Sequence, residues 1–344
     1  MELHRYTIYP NLRVDSNARA NPYIHDFIRA LNKYGKVQNK ASKNPLLDIL
    51  FPKNWGDVFI FNWFESIPDY KYGLLQSAAA ILFVLFLRCR RKQIVWVLHN
   101  RLPHSAGKML LKRFMMHYMS RMSTFIITHA TEGINIVRTK YPFAEKKVHY
   151  LDHPTKNRLA LAEKTEVKYD LLIWGQISRY KGIVEFVRFV SENKINDMRV
   201  CIVGRCSSES LLEQLRNSLP DNIELVNESP SFEELGKYVS SAHFVLAPYM
   251  ADTVLSSGML MDSLSYGAKV IGPDVGSFRD YSRNPMLDVY TFRSFADIPR
   301  IVAKEKNATR SLDEYAKFLD SHDWDHFVVN LMEILNGRRT DDGI

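Results

Sequence analysis

The sequence of 344 residues is poor in cysteine, has a long stretch without a single acid, and contains no apolar run long enough to span a membrane. Its three cysteines, Cys89, Cys201 and Cys206, show neither paired spacing nor metal-ligand spacing. That argues against a disulfide scaffold and against a zinc module, and fits a reducing, cytoplasmic compartment. The most apolar stretch, Leu74–Leu87, is fourteen residues long and is broken by Gln76 and Ser77. A bilayer crossing needs about twenty residues, so this run is too short to span. The opening Met1-Glu2-Leu3-His4-Arg5-Tyr6 does not read as a signal peptide, and no repeat or low-complexity tract is visible.

What is present is an ordinary globular composition with an uneven charge. Apolar residues make up 46% and charged residues 24%, as in soluble domains. Residues 1–165 hold 26 Lys and Arg against 11 Asp and Glu, whereas the remainder holds 20 against 27, for a net +8. Between Tyr70 and Thr131 no acid occurs, while Lys71, Arg88, Arg90, Arg91, Lys92, Arg101, Lys108, Lys112, Arg113 and Arg121 all fall there. Leu74–Leu87 sits inside that span. Two readings stay open: a buried helix on a sheet, or partial insertion at an anionic membrane surface. Nucleic acid is not expected as a partner, because the cations lack interleaved stacking aromatics.

The length favours two domains. Strand-like runs at Asp57–Phe61, Ile94–Leu98, Thr124–Thr128 and Lys147–Leu151 alternate with helical patterns at Tyr23–Tyr34, Tyr72–Arg91 and Lys108–Met122. The second half repeats the scheme, with strands at Tyr169–Trp174, Met198–Val203, Ile223–Val226, Phe244–Ala247 and Lys269–Ile271. Its helical patterns are Gly182–Glu192, Ser208–Leu219, Phe232–Ser240 and Gly258–Tyr266. Such alternation predicts an α/β protein of two doubly wound Rossmann-like domains, each a parallel sheet with helices on both faces. The expected domains are residues 1–160 and 161–322, joined by a linker over Asp152–Lys168. A final segment, 323–344, is expected to carry a helix crossing back onto the first domain.

Two loops in the second half suit phosphate. Ser256-Ser257-Gly258 opens a helix, so free backbone N–H groups and the positive end of the helix dipole converge there. Asp262, one turn along, is placed to accept hydrogen bonds from a ribose. The second loop is Gly175-Gln176-Ile177-Ser178-Arg179-Tyr180-Lys181-Gly182, with Arg179 and Lys181 as cations. Each feature has a plain structural alternative: a helix cap, a solvated lysine, a surface arginine. Together they suggest a nucleoside diphosphate held between two loops. Gly175 and Gly204 suit close backbone approach, and Tyr249 is either a pocket wall or a core aromatic.

These residues resemble GT-B glycosyltransferases, most closely the family 4 type of bacterial capsule and exopolysaccharide assembly. That type carries a Gly-Arg…Lys-Gly loop, an Ile-Val-Gly strand end, and a Glu-x7-Glu helix followed by Gly-x-Pro-Val. Here Gly175…Lys181-Gly182, Ile202-Val203-Gly204 and Asp262…Gly267-Ala268-Lys269-Val270 match. In the first half Asn21-Pro22-Tyr23, Asn62-Trp63-Phe64-Glu65 and His99-Asn100-Arg101-Leu102-Pro103-His104 look like the Asn-Pro-Tyr, His-Trp-Pro-Glu and His-Asn-x-x-Pro-His signatures of one exopolysaccharide subgroup. The chain departs from the pattern at Gln176, which replaces the loop arginine, and at Val254, which replaces the first glutamate, while the second is shortened to Asp262.

The resemblance implies a retaining, metal-independent transfer of sugar from a nucleoside-diphosphate donor, UDP- or GDP-linked, with no further cofactor and no bound metal. Donor contacts are expected at Gly175, Arg179, Lys181, Gly204, Tyr249, Ser256, Ser257, Gly258 and Asp262. His99 and Glu65 are the catalytic candidates, with His129 a weaker one. Asn21, Tyr23 and His104 are candidates for the acceptor. The acceptor itself is expected to be a saccharide, lipid-linked and presented at the inner face of the plasma membrane, where the protein would associate peripherally. A sugar-nucleotide epimerase of the same fold and a non-catalytic nucleotide-sugar-binding component remain the alternatives.

Overall fold

The computed structural model describes residues 4–13, 22–101, 107–163, 165–252, 254–308 and 311–337. Asn21 and His104, both expected at the acceptor, lie outside these residues. The chain divides into two compact units, one of Met1–His153 with Trp324–Ile344 and one of Pro154–Asp323.

The first unit is built on a six-stranded parallel sheet. Its strands are β1 (His4–Tyr9), β2 (Gly35–Val37), β3 (Val58–Asn62), β4 (Gln93–Leu98), β5 (Phe125–Thr128) and β6 (Val148–Tyr150). They run in the order β2-β1-β3-β4-β5-β6. The central strands are continuous apolar runs because helices cover both faces. On one face Val58, Ile60, Val95, Val97 and Ile127 meet Tyr23, Phe27 and Leu31 of the helix Pro22–Tyr34.

The returning helix Trp324–Leu335 packs on that same helix, as the sequence leads one to expect of its last segment. Phe27 and Phe327 meet edge to face at 5.2 Å, and Lys33 pairs with Asp325 at 2.6 Å. Leu74–Leu87 lies in the helix Gly73–Cys89, which is buried on one side only. Gly73, Ser77, Ala80, Val84 and Leu87 are buried, while the opposite side is open.

The second unit repeats the plan with β7 (Tyr169–Trp174), β8 (Val200–Val203), β9 (Ile223–Val226), β10 (Ala242–Leu246), β11 (Val270–Pro273) and β12 (Val289–Phe292). All pairs are parallel, in the order β12-β11-β10-β7-β8-β9. Separate apolar clusters cover its two faces. One is dominated by the helix Ile183–Glu192, whose Ile183, Val184, Phe186, Val187 and Val190 recur at helical spacing.

Three strands escaped the sequence reading. β1 is masked by its His, Arg and Tyr residues; β2 is only three residues long; β12 has two half-exposed positions. The segment read as a linker is docked instead. The Thr155 hydroxyl donates to the Met261 carbonyl (3.3 Å), and the Arg158 N–H donates to the Ser265 carbonyl (3.0 Å).

Candidate functional site

In doubly wound sheets, ligands gather beyond the carboxyl ends of strands where the winding direction reverses. In the second unit the chain winds outward through β7, β8 and β9, then returns to place β10 on the other side of β7. The reversal therefore lies at the ends of β7 and β10, where Trp174 leads into Gly175 and Leu246 leads into Ala247-Pro248-Tyr249.

Gly175 and Gly182 both have positive φ, at 93° and 70°, a region that residues with a side chain avoid. Space makes the same demand. A Cβ on Gly175 would stand 3.2 Å from Lys181 Nζ, and one on Gly182 would collide with the Pro248 carbonyl oxygen. Gly204, at the end of β8, lies so close to Gly175 that a Cβ there would strike the Gly175 carbonyl. The loop after β7 is thus folded onto the ends of both neighbouring strands, and Lys181 is curled over its first glycine.

Lys181 Nζ has neither a hydrogen bond nor an ion pair among the described residues. Burial of the side chain lowers its pKa to about 8, with no other cause contributing. A half-buried ammonium without a counter-charge is unfavourable, and an anion at that point would relieve it. Arg179 is exposed on the same loop and likewise forms no ion pair among the described residues.

The other loop, Ser256-Ser257-Gly258, opens a helix as its sequence suggests. Ser257 caps the helix Gly258–Ser265, its hydroxyl accepting from the Leu260 N–H at 3.2 Å. Ser257 is buried, Ser256 is half-buried and Gly258 is exposed. Tyr249 is buried in the apolar core, edge-on to Phe278 at 6.1 Å. Val254, which stands where the family pattern has its first glutamate, is buried in the same core.

Asp262 has a partner that the sequence reading missed. Arg158 Nη1 donates to its Oδ1 at 2.9 Å and to the Ser265 hydroxyl at 2.9 Å. The guanidinium also lies over the Phe232 ring, 4.3 Å from its centroid. Arg158 is buried, so it holds the carboxylate on one side of the helix and leaves little freedom in how Asp262 meets a ligand. No motif marks an arginine 104 positions upstream.

A cavity of about 670 Å³ runs along the helix Phe232–Ser240, from the carboxyl ends of β8 and β9 to Lys168, Tyr169 and Ser241 at the starts of β7 and β10. Val203, Glu228, Ser229 and Pro230 bound it, with Lys237 and Tyr238 from the helix Phe232–Ser240.

In the first unit a second set of side chains gathers at the ends of β3 to β6. Trp63, His99, His129 and His153 follow successive strands and surround Tyr23 from the helix Pro22–Tyr34. Trp63 takes a left-handed conformation (φ 49°), which lays its indole flat on His99 at 4.5 Å and 19°. Hydrogen bonds fix the protons. Asn62 donates its amide to the Tyr9 carbonyl (3.2 Å), so its Oδ1 accepts from His99 Nε2 (2.9 Å). His99 therefore carries its proton on Nε2 and its lone pair on Nδ1. His129 is the reverse: Nδ1 donates to the Leu151 carbonyl (2.8 Å) and Nε2 accepts the Tyr23 hydroxyl (3.0 Å).

Burial first, then the neighbouring His129 and His153, drives the His99 pKa well below its ordinary value. Burial lowers that of His129 to about 4, against the opposing pull of the Leu151 carbonyl and Asp152. Both rings are neutral at physiological pH. Chemically, His99 offers a hydrogen bond to a hydroxyl, not a cation to a phosphate.

Glu65 lies apart from this group. It is buried in the 3-10 turn Phe64–Asp69, with Asn100 Nδ2 donating to Oε1 at 3.4 Å, while Oε2 has no hydrogen-bond partner among the described residues. Burial raises its pKa to about 7, against the opposing effects of its own backbone N–H, Asn100, Trp96 and Lys112. The structure thus brings His99 and Tyr23 together and places Glu65 in the interior. Asp323 and Asp325 flank Trp324, and Asp325 is engaged by Lys33. No group of three His, Cys, Asp or Glu side chains among the described residues stands where it would hold a metal ion.

No family model and no curated sequence relative matches the chain. Solved structures do, and they show the fold, which is that of the GT-B glycosyltransferases, with two Rossmann-like α/β domains. Among them is HepE from Anabaena in complex with UDP-glucose, 12% identical, with a TM-score of 0.63 over 97% of this chain and 100% of that one. The lipopolysaccharide outer core galactosyltransferase WaaB is 11% identical, with a TM-score of 0.60 over 97% and 99%. TarM is 12% identical at a TM-score of 0.56 over 81% of this chain, which spans about half (54%) of TarM's length.

Proposed function

We propose that the protein is a glycosyltransferase that moves a sugar from a nucleoside-diphosphate donor, UDP- or GDP-linked, to a saccharide acceptor. The observation that carries this reading is Lys181, an ammonium without a counter-charge, folded over Gly175 at the reversal point of the second sheet. A diphosphate there would supply the missing charge. Arg179 and the free N–H groups at Ser257 and Gly258 add to the attraction. The cavity beside Val203 and Glu228–Pro230 offers room for the base.

The reaction breaks the bond between the anomeric carbon and the diphosphate oxygen. The nucleoside diphosphate leaves with the bonding electrons, the acceptor oxygen bonds to the anomeric carbon, and the hydroxyl proton is released. Positive charge fixed at the leaving oxygens lowers the barrier because the negative charge grows there in the transition state. We read the transfer as retaining, with these cations in the place of a metal ion, in keeping with the family resemblance. Neutral His99, aligned by Asn62 and Trp63, suits a sugar hydroxyl.

The acceptor is read as a lipid-linked saccharide of bacterial surface polysaccharide synthesis, met at the inner membrane face. The acid-free basic span supports this, and HepE and TarM, crystallised with UDP-glucose and with UDP beside a glycosylated glycerol, are consistent with a uridine nucleotide.

The test is a nucleoside-diphosphate release assay over a panel of UDP- and GDP-sugars with lipid-linked acceptors. Acceptor-dependent release from one donor is expected, falling about a hundredfold or more in kcat/KM for Lys181→Ala. Isomerised donor without transfer would make the protein an epimerase instead.

A further inference from the structure

The helix Gly73–Cys89 is apolar on the side that faces away from its sheet. Leu74, Leu75, Ala78, Leu82 and Leu85 share that side, and Leu74, Leu75 and Leu82 are 65%, 73% and 66% exposed. No charged residue interrupts the helix from Gly73 to Leu87. The neighbouring helix Met109–Met122 is tied to it by the Tyr118 hydroxyl, which donates to the Ile81 carbonyl at 2.7 Å. It adds Leu110, 84% exposed, and Phe114. A water-facing helix side is normally polar, and an apolar patch of this kind marks an interaction surface.

The charges beside the patch identify the occupant. Arg88, Arg90 and Arg91 stand exposed at the end of the first helix, and Arg113 stands next to Phe114 on the second. None of the four makes an ion pair among the described residues. No acid lies between Asp69 and Glu132. A second copy of the chain would set these cations against their own kind across a two-fold contact. An anionic phospholipid surface matches both the leucines and the arginines.

The geometry points to a monotopic membrane-docking face: the helix Gly73–Cys89 lies in the plane of an anionic bilayer. Its outward leucines, with Leu110 and Phe114, enter the acyl boundary, and the guanidinium groups sit at headgroup level. No described helix is long and apolar enough to cross, so the contact stays on one leaflet. This rests on the reading above only for the reason a bilayer is met, namely a lipid-linked acceptor.

Flotation of the full chain with vesicles of equal parts phosphatidylglycerol and phosphatidylcholine, against phosphatidylcholine alone, tests it. The wild type should float with the anionic vesicles only. Leu75→Asp with Leu82→Asp should weaken flotation at least about tenfold, since two leucines no longer leave water. Arg88→Gln with Arg90→Gln and Arg91→Gln, all on exposed positions, should weaken it comparably. A thermal shift with sugar nucleotide, read on the same samples, should be unchanged. Wild type that does not float, variants that float like wild type, or a dimer split by the leucine substitutions would overturn the docking face. Flotation without any nucleotide shift would leave the face standing and remove the transferase reading.

Discussion

Lys181 Nζ stands 3.2 Å from the point where a Cβ on Gly175 would be, so the bare glycine lets the ammonium settle close beside the backbone. The two residues form one device. Gly175 turns the chain at the end of β7 with φ 93°, and Lys181, six residues on, lies against the side left open by the missing side chain. Gly175→Ala would introduce both a strained φ and a close contact with the lysine. It should lower sugar-nucleotide affinity together with melting temperature, whereas Lys181→Ala should lower affinity by about ten- to a hundredfold without loss of stability. Calorimetric titration of both variants separates the two effects.

The pH dependence of donor binding follows from the same lysine. Its pKa of about 8 in the free protein must rise when an anion binds, so protons are taken up on binding near that pH. Affinity for a UDP-sugar should be flat below pH 8 and fall as pH rises through it, by up to about tenfold per unit until the bound-state pKa is reached. Affinity that is unchanged between pH 7 and pH 9, titrated with a sugar nucleotide whose own charge is constant there, would count against Lys181 as the ligand.

Arg158 and Asp262 make a prediction about stability. Removing the guanidinium strips a buried partner from Asp262 and Ser265 and leaves the Phe232 ring uncovered. Because Asp262 remains partly open to water, the cost falls below that of a fully buried pair, at about 2 kcal/mol. Denaturant melts of Arg158→Ala should show that loss. Asp262→Asn, which keeps the shape and a hydrogen-bond acceptor, should lose less stability, and its sugar-nucleotide affinity reports whether the carboxylate also meets the ribose.

The histidines of the first unit predict how the fold responds to acid. Folded His99 and His129 resist protonation, while the unfolded chain takes up their protons near pH 6.5. The unfolded state therefore binds more protons below that pH, and stability is lost as pH falls from about 6.5 toward 4. Glu65 acts in the opposite sense: its raised pKa means that stability is lost as pH rises from about 4.5 through 7. His129→Phe should flatten the acid side of the curve. Tyr23→Phe, which leaves His129 Nε2 without its donor, should cost about 1–3 kcal/mol at neutral pH.

Much of this architecture was legible in the sequence because parallel sheets covered on both faces leave long apolar strands, such as Gln93–Leu98 and Tyr169–Trp174. Strand β1 was not legible: its Tyr6 and Tyr9 are core residues, but the polar groups in His4–Tyr9 hide the pattern. The phosphate loops were visible because glycine and lysine have to recur at short spacing. Arg158 was invisible for the opposite reason, since it reaches Asp262 only through the fold. His99 stood out at a strand end, whereas its orientation depends on Asn62 and on the left-handed Trp63, which no local pattern announces. The apolar run at Leu74–Leu87 concealed its own division, because leucines on both faces give a helix with little visible polarity.

The most direct test of the account is the melting temperature of the full chain with and without sugar nucleotides, in parallel with Lys181→Ala. At ligand near a hundred times its dissociation constant, one UDP- or GDP-sugar should raise the melting temperature of the wild type by about 4 °C. The same ligand should raise that of Lys181→Ala by much less. A wild type unmoved by every sugar nucleotide, or a Lys181→Ala variant shifted as far as the wild type, would contradict the donor site.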